Sequence, residues 1–160
     1  MNRLFVILAL GGVAYAGHRL IADDGPTAGP ATASLALDRI WIDHIPRGER
    51  DTVEVFVAIS SESIGIFQQA AQWRGAHELF KFEAHGDQLR LVYPHTGDKD
   101  KVTARARACS EGGFDYCLEL AGARRGAKRY FSLEGWEIEG AHDAREIEQR
   151  VLALLAARAR

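Results

Sequence analysis

Residues 101–121 read KVTARARACSEGGFDYCLELA, and this stretch decides the fold because its alternation and its two cysteines agree on one pairing. If residues 112–114 form a loop, Cys109 lies opposite Cys117 in a β-hairpin. The same register matches charge and apolar character across the strands: Arg107 with Glu119, Ala106 with Leu120, and Ala108 with Leu118. A slip by one residue would turn every side chain to the wrong face. The sequence therefore predicts a hairpin closed by a disulfide bond between Cys109 and Cys117.

A second hairpin is predicted around Gly86-Asp87, where a leading glycine suits a type II′ turn. This turn pairs residues of matching character: Ala84 with Leu89, Phe82 with Leu91, Phe80 with Tyr93, and Glu83 with Arg90. Residues 35–45 and 52–60 also alternate as strands do, with the valines of the second run on one face. Residues 64–73 fit either a strand or a helix capped by Ser61, and Gly65 with its β-branched neighbours favours a strand.

Together these runs predict a mainly β domain over residues 35–139, an antiparallel meander of about eight strands that forms a small closed or nearly closed barrel. Residues 140–160 predict a C-terminal helix. Asp143 and Glu146 form a capping pair, and apolar residues recur with helical spacing at Ile147, Val151, Leu154 and Leu155. We expect this helix to pack on the β domain. Binding to a partner or a membrane is the alternative.

The N-terminus resembles an export signal. Arg3 precedes an apolar run over residues 4–13, and Ala14 and Ala16 are the small residues that a signal peptidase reads. Residues 1–16 therefore predict a signal peptide and an exported chain, periplasmic or extracellular. An uncleaved N-terminal anchor is the alternative, and it would be the protein's contact with a membrane. Residues 17–34, rich in Pro, Gly and small residues, predict a flexible linker.

No local motif carries a reaction. The sequence has no Gly-x-Ser-x-Gly elbow, phosphate-binding loop or His-Glu-x-x-His run, so we expect a protein that is not an enzyme and has no cofactor. His77 and His85 would lie roughly 26 Å apart along a strand, too far to share a metal. The cysteines lack Cys-x-x-Cys spacing, which favours the disulfide over a metal or redox pair. The net charge of −2 gives no reason to expect nucleic acid.

Two binding hypotheses remain. In the first, the barrel interior holds a small apolar ligand against side chains that share one face: Phe80, Phe82, Leu89, Leu91, Tyr93 and Tyr116. The small residues Ala104, Ala106 and Ala108 face them, and a filled core is the plainer interpretation of the same pattern. In the second, the domain binds or inhibits an envelope protein through the loop over residues 94–100 and an arginine-rich turn: Arg124, Arg125, Lys128 and Arg129.

The stretch over residues 75–97 resembles the central hairpin of lipocalins and wider calycin-type barrels, which are small exported proteins. The resemblance rests on Glu78, Gly86-Asp87, Leu89, Leu91, Pro94 and Thr96-Gly97. It implies an eight-stranded barrel followed by a helix and a ligand held inside the barrel. Residues 126–135, with Tyr130, are also similar to the loop of periplasmic lysozyme inhibitors, which are disulfide-bearing barrels.

Overall fold

The computed structural model describes residues 32–48, 50–71 and 74–138, and the single positions 149, 152, 153 and 156. The described chain forms a closed antiparallel barrel of eight strands, because each strand pairs with the next and β8 pairs back onto β1. The strands are β1 (Trp41–Ile42), β2 (Val53–Ile59), β3 (Ile64–Ala71), β4 (Arg74–His85), β5 (Gln88–Val92), β6 (Lys99–Glu111), β7 (Phe114–Ala121) and β8 (Arg129–Ser132). The predicted eight-stranded meander, including the uncertain strand at β3, is therefore confirmed.

The first strand is shorter than predicted. Instead of a strand over residues 35–45, a 3₁₀ helix at Ser34–Ala36 is followed by the two-residue β1. Asp38 separates the two elements with a φ of 54°, and its carboxylate accepts hydrogen bonds from the backbone N–H and the hydroxyl of Ser60. This left-handed backbone conformation breaks an extended strand. The fold also starts earlier than Leu35, because Thr32 pairs with Ala106 of β6.

The hairpin of β6 and β7 has a different register from the predicted one. Gly112 and Gly113 both have positive φ, so the turn has two residues rather than three, and Glu111 pairs with Phe114. A bulge then places two β6 residues opposite a single β7 residue. Beyond it, the pairs are Arg107 with Cys117, Arg105 with Glu119, Ala106 with Leu118, and Ala108 with Tyr116. The predicted pairs of Arg107 with Glu119, Ala106 with Leu120 and Ala108 with Leu118 are therefore wrong.

The predicted disulfide is confirmed despite this shift. Cys109 lies in the bulge and reaches diagonally to Cys117, with 5.7 Å between their Cα atoms. In the second hairpin, Glu83 pairs with Arg90 as predicted, and so do Phe82 with Leu91 and Ala84 with Leu89. The pairing of β4 with β5 ends at Lys81 and Val92, so Phe80 and Tyr93 are not paired across the strands.

Aromatic side chains fill the barrel interior. Phe80 lies at the centre, with its ring centroid 5.1 Å from that of Phe67 and 6.0 Å from that of Phe56. Phe82 and Tyr93 lie 6.2 and 6.3 Å from Phe80 on its other sides. Aliphatic residues of β5, β6 and β7 complete this core: Leu89, Leu91, Val102, Ala104, Ala106, Leu118 and Leu120. The interior is thus packed with side chains, as an eight-stranded barrel permits.

A second apolar core lies on the outer face of β1, β2 and β3. The alternation predicted for β2 is confirmed, because its outward residues are all buried there: Val53, Val55, Val57 and Ile59. Leu133, Trp136 and Ile138, which follow β8, belong to the same core. No described helix is long and apolar enough to cross a membrane.

Two predicted segments lie outside the described residues. They are the export signal with most of its linker, over residues 1–31, and the C-terminal helix with its apolar face, apart from the single positions 149, 152, 153 and 156. Both stay predictions.

Gly65 tests the packing of the interior. A Cβ atom added at Gly65 would overlap the ring of Phe80 and lie 2.6 Å from the carbonyl oxygen of Val57. We expect Gly65→Ala to lower the free energy of unfolding by about 1–3 kcal/mol, as overpacking does. Urea denaturation measures this. Gly48→Ala is the control, because nothing lies within 4 Å of an added Cβ there. Equal stability of the two variants would contradict the packed interior.

The disulfide provides a second stability test. Replacing Cys109 and Cys117 together by serine should lower the free energy of unfolding by roughly 2–3 kcal/mol, because the bridge limits the unfolded chain. We expect the barrel to remain folded, since its apolar core is unchanged. Thermal unfolding followed by circular dichroism measures the loss. Ala108→Ser, at an exposed position of the same strand, is the control. A double variant as stable as this control would contradict the prediction.

Candidate functional site

The structure brings the predicted lumen residues together, but they contact one another. Phe80, Phe82, Leu89, Leu91 and Tyr93 are all buried in the inner core. Tyr116 is half-buried, and its ring lies under the guanidinium of Arg39, with the Cζ atom 4.0 Å from the ring centroid. Two concavities of the described barrel lie at its end and on its outer face. An apolar ligand would have to displace the aromatic rings to enter.

One end of the barrel carries a cluster of polar groups. At this end β2 begins, β3 ends, and two loops meet, over residues 94–98 and 122–128; we call it the mouth. The Nε atom of Arg125 lies 2.6 Å from Oε2 of Glu78, and its Nη2 atom donates to Asp98 at 3.0 Å. β4 and β5 are paired only as far as Lys81 and Val92, so the two chain segments separate beyond these residues. Arg125 bridges the gap, because it contacts Glu78 of β4 and Asp98 of the loop over residues 94–98.

Arg125 is also stacked on an aromatic ring. Its Cζ atom lies 3.7 Å from the ring centroid of Tyr93, which is fully buried. The Tyr93 hydroxyl in turn donates to Asp100 at 3.1 Å. Arg124 donates to the same carboxylate from its Nε atom, at 2.5 Å, and from its backbone N–H. We call Arg124, Arg125 and these partners the arginine network, and it fixes both loops to the barrel.

Three groups of this network have pKa values that are shifted from their ordinary values and lie further from pH 7. Burial raises the pKa of Tyr93 to about 12. Burial alone would raise the pKa of Asp100, but hydrogen bonds from Arg124 and Tyr93 outweigh it and lower the pKa below its ordinary value of 3.8. The hydrogen bond from Arg125 lowers the pKa of Asp98. All these groups therefore keep one protonation state near pH 7.

The two predicted partner-binding segments meet at the mouth, but most of their cations are already paired. Arg124 and Arg125 belong to the arginine network, and Arg129 pairs with Glu111 and lies over the ring of Phe131. Lys128 is exposed. The predicted loop over residues 94–100 is shorter than expected, because Lys99 and Asp100 belong to β6 and Asp100 is buried. The arginines thus stabilise the loops instead of forming a free basic surface.

A pocket of about 290 Å³ opens beside Arg125 at the mouth. Its lining combines carboxylates, an amide and apolar surface: Glu54, Phe67, Gln69, Ala76, His77, Glu78, Arg125 and Gly126. Glu54 accepts a hydrogen bond from Nε2 of Gln69 at 2.6 Å, and among the described residues it has no cationic partner. Gly126 closes the side of the pocket with a φ of 72°, and an added Cβ there would overlap Tyr130 and lie 2.5 Å from Phe67.

The charged side chains that line this pocket are the carboxylates Glu54 and Glu78 and the cation Arg125, and the imidazole of His77 lies beside them. Arg125 is already paired with Glu78 and with Asp98 of the neighbouring loop, so Glu54 carries the uncompensated negative charge among the described residues. Phe67 and Ala76 supply apolar surface beneath the carboxylates. Such a lining suits a positively charged group on a short apolar stem, because the carboxylates attract the charge and the apolar surface packs against the stem.

Sequence analysis missed Glu54, Gln69 and Glu78 as site residues. They come from three different strands, and β-sheet pairing joins Glu54 to Gln69 directly. One signal was present, because Glu54 shares its alternation face with Phe56, which lies inside the barrel. When the inward-facing residues of a strand are apolar and the last of them is charged, the charged residue is expected at the open end of the barrel.

Comparisons of the chain with protein-family models, with curated proteins and with solved structures found no match. The resemblance to calycin-type barrels therefore stays a prediction. The described residues contain no group of His, Cys, Asp and Glu side chains arranged to hold a metal ion. The function of the chain has to be inferred from its own geometry.

Asp100 tests the arginine network. Its folded pKa lies below the ordinary value of 3.8, so its ionised form stabilises the fold above about pH 4, and this contribution disappears as the pH falls below that value. Asp100→Asn should therefore lower the free energy of unfolding by about 1–3 kcal/mol at pH 7 and have a smaller effect at pH 3. Urea denaturation at both pH values measures this. Asp87→Asn, at the exposed turn after β4, is the control. A pH-independent loss would contradict the assignment.

Proposed function

We propose that this protein is an exported, non-enzymatic binding domain that recognises a positively charged group, an amine or a guanidinium, in the pocket at the barrel mouth. The observation that carries the proposal is the pocket itself, in which Glu54 has no cationic partner among the described residues and Phe67 supplies apolar surface. The filled interior supports placing recognition at the mouth, because the aromatic core leaves the pocket as the concave surface at the end of the barrel.

The dimensions of the pocket suit a group the size of an amino-acid side chain. A volume of about 290 Å³ lies at the lower end of the range for small-molecule sites. A lysine or arginine side chain, or a small free amine, supplies both the charge and the short aliphatic stem.

The arginine network beside the pocket is better suited to a fixed surface than to proton transfer. A general acid or base works best with a pKa near the operating pH. The pKa of Tyr93 is raised to about 12, and those of Asp98 and Asp100 are lowered, so these groups hold their protons or their charges at neutral pH. Arg125 is held by two carboxylates and a ring, which favours a fixed recognition surface.

Export remains part of the proposal. The sequence over residues 1–16 resembles a signal peptide, and the disulfide between Cys109 and Cys117 is compatible with an oxidising compartment. N-terminal sequencing of the natural protein would test it. A chain that begins near Gly17 would support export, and a soluble form that retains Met1 would contradict it.

Isothermal titration calorimetry with capped amino acids tests recognition at the mouth. We expect N-acetyl-lysine amide or N-acetyl-arginine amide to bind, and N-acetyl-norleucine amide, which has a similar stem without the charge, to bind at least about tenfold more weakly. Glu54→Gln should weaken binding of the charged probes by about tenfold, equivalent to 1.4 kcal/mol. Glu119→Gln, on the outside of β7, is the matched control.

Two results would contradict the proposal. Equal binding of the lysine and norleucine probes would show that the pocket does not recognise the positive charge of the side chain. Equal weakening by Glu54→Gln and Glu119→Gln would show that the general charge of the protein, rather than the pocket, attracts the probe.

A further inference from the structure

The outer face of β4, β5 and β6 holds a second, larger concavity. This groove has a volume of about 860 Å³, and the outward side chains of three adjacent strands line it. Its lining includes four cations, Lys81, Arg90, Lys99 and Lys101, and three carboxylates, Glu62, Glu83 and Asp100. Asp100 is buried and paired with Arg124, so cations outnumber carboxylates by four to two among the exposed side chains. We call this surface the basic groove. It contrasts with the mouth, where carboxylates predominate.

The cations of the basic groove are not paired with carboxylates. Among the described residues, none of the four forms an ion pair or a side-chain hydrogen bond. Glu83 lies opposite Arg90 in the strand register, but its carboxylate contacts His85, at 3.7 Å. By contrast, Arg124, Arg125 and Arg129 at the neighbouring turn are all engaged with carboxylates.

The register adds a cost that folding does not explain. Arg90 lies directly opposite Lys101 across β5 and β6, and like charges in this position destabilise a sheet. A protein with a net charge of −2 has enough acidic residues to neutralise these positions. Four unpaired cations that converge on one groove therefore point to an anionic occupant.

An apolar side chain lies within this charged surface. Val92 pairs with Lys81 on one side and with Lys99 on the other, and it is 37% exposed. A valine between two lysines offers an apolar contact flanked by positive charge. The complementary surface is an apolar side chain flanked by carboxylates.

We propose that the basic groove docks an acidic segment of a partner protein, in which carboxylates flank an apolar side chain that contacts Val92. The concave shape favours a protruding segment over a flat membrane surface, which could not reach the bottom of the groove. Of the apolar residues in the lining, Phe82 and Leu91 are buried and Val92 is exposed. No exposed aromatic ring in this lining offers a stacking surface, which favours a peptide over single-stranded nucleic acid. The groove adjoins the mouth through Lys99, whose carbonyl oxygen accepts from Arg124 at 2.9 Å. Asp100 lines the groove and also belongs to the arginine network, but the four cations of the groove are not among the residues that line the mouth pocket.

A fluorescein-labelled peptide with four glutamates around one leucine is the probe, and fluorescence anisotropy is the measurement. We expect the peptide to bind the folded protein, and a peptide with glutamines in place of the glutamates to bind at least tenfold more weakly. Lys99→Glu with Lys101→Glu should weaken binding at least tenfold. Arg50→Glu with Lys128→Glu, which reverses two exposed cations elsewhere, should leave binding within about twofold at physiological salt, where distant charges are screened.

Stability provides a second readout. Lys101→Glu places a carboxylate opposite Arg90, so this variant should melt at the same or a higher temperature than the natural protein while its peptide binding is lost. Weak binding in a stable variant would identify a recognition residue. Glu54→Gln should leave peptide binding unchanged, so that a failure at the mouth and a failure at the groove are distinguishable.

Three outcomes would overturn the proposal. The first is equal weakening by the groove and control reversals. The second is retention of peptide binding by Lys99→Glu with Lys101→Glu. The third is tighter binding of phosphatidylglycerol vesicles or of oligodeoxythymidine than of the acidic peptide, lost in the same variant, which would assign the groove to a membrane or to nucleic acid.

Discussion

The packing of Phe80 against Gly65 is the constraint on which the rest of the structure depends. Because a side chain at Gly65 would overlap the Phe80 ring, the glycine leaves the space in which that ring packs against the rings of Phe56 and Phe67. The inner faces of all eight strands contribute to this one core. The filled interior is the reason why we propose recognition at the end and on the outside of the barrel, and not in the lumen that the resemblance to calycin-type barrels implies.

Electrostatics then divides the surface. At the mouth, Arg124 and Arg125 fix their loop to the barrel by pairing with Asp100 of β6 and Glu78 of β4, while Glu54 has no cationic partner among the described residues. On the outer face of β4, β5 and β6 cations predominate, because Arg90 and Lys101 lie side by side and neither forms an ion pair among the described residues, although Glu83 lies opposite Arg90 in the register. A nearly neutral chain thus carries two local surfaces of opposite charge. The net charge is a sum over the whole chain, so it could not reveal either of these local surfaces.

The sequence predicted the features that depend on local alternation. Both hairpins, the strand nature of β3 and the disulfide follow from residues close together in the chain, where side-chain period and turn residues suffice. The predicted register of β6 with β7 was wrong because Gly112 and Gly113 form a two-residue turn. The disulfide is kept because the bulge places Cys109 diagonally opposite Cys117. The mouth could not be predicted, because Glu54, Glu78 and Arg125 meet only when the barrel closes. The signal peptide and the C-terminal helix stay predictions, since they lie outside the described residues.

The central claim is that the interior is full and that recognition takes place outside it. Amide chemical shifts, followed by NMR during titration with N-acetyl-lysine amide and separately with decanoate, test this claim most directly. The account predicts that the lysine probe shifts the amides of Gln69, Ala76 and Glu78 at the mouth, and that decanoate leaves the inner core unchanged. Saturable shifts at Phe82, Leu89 and Leu91 on addition of decanoate would show a ligand in the lumen and would contradict the account.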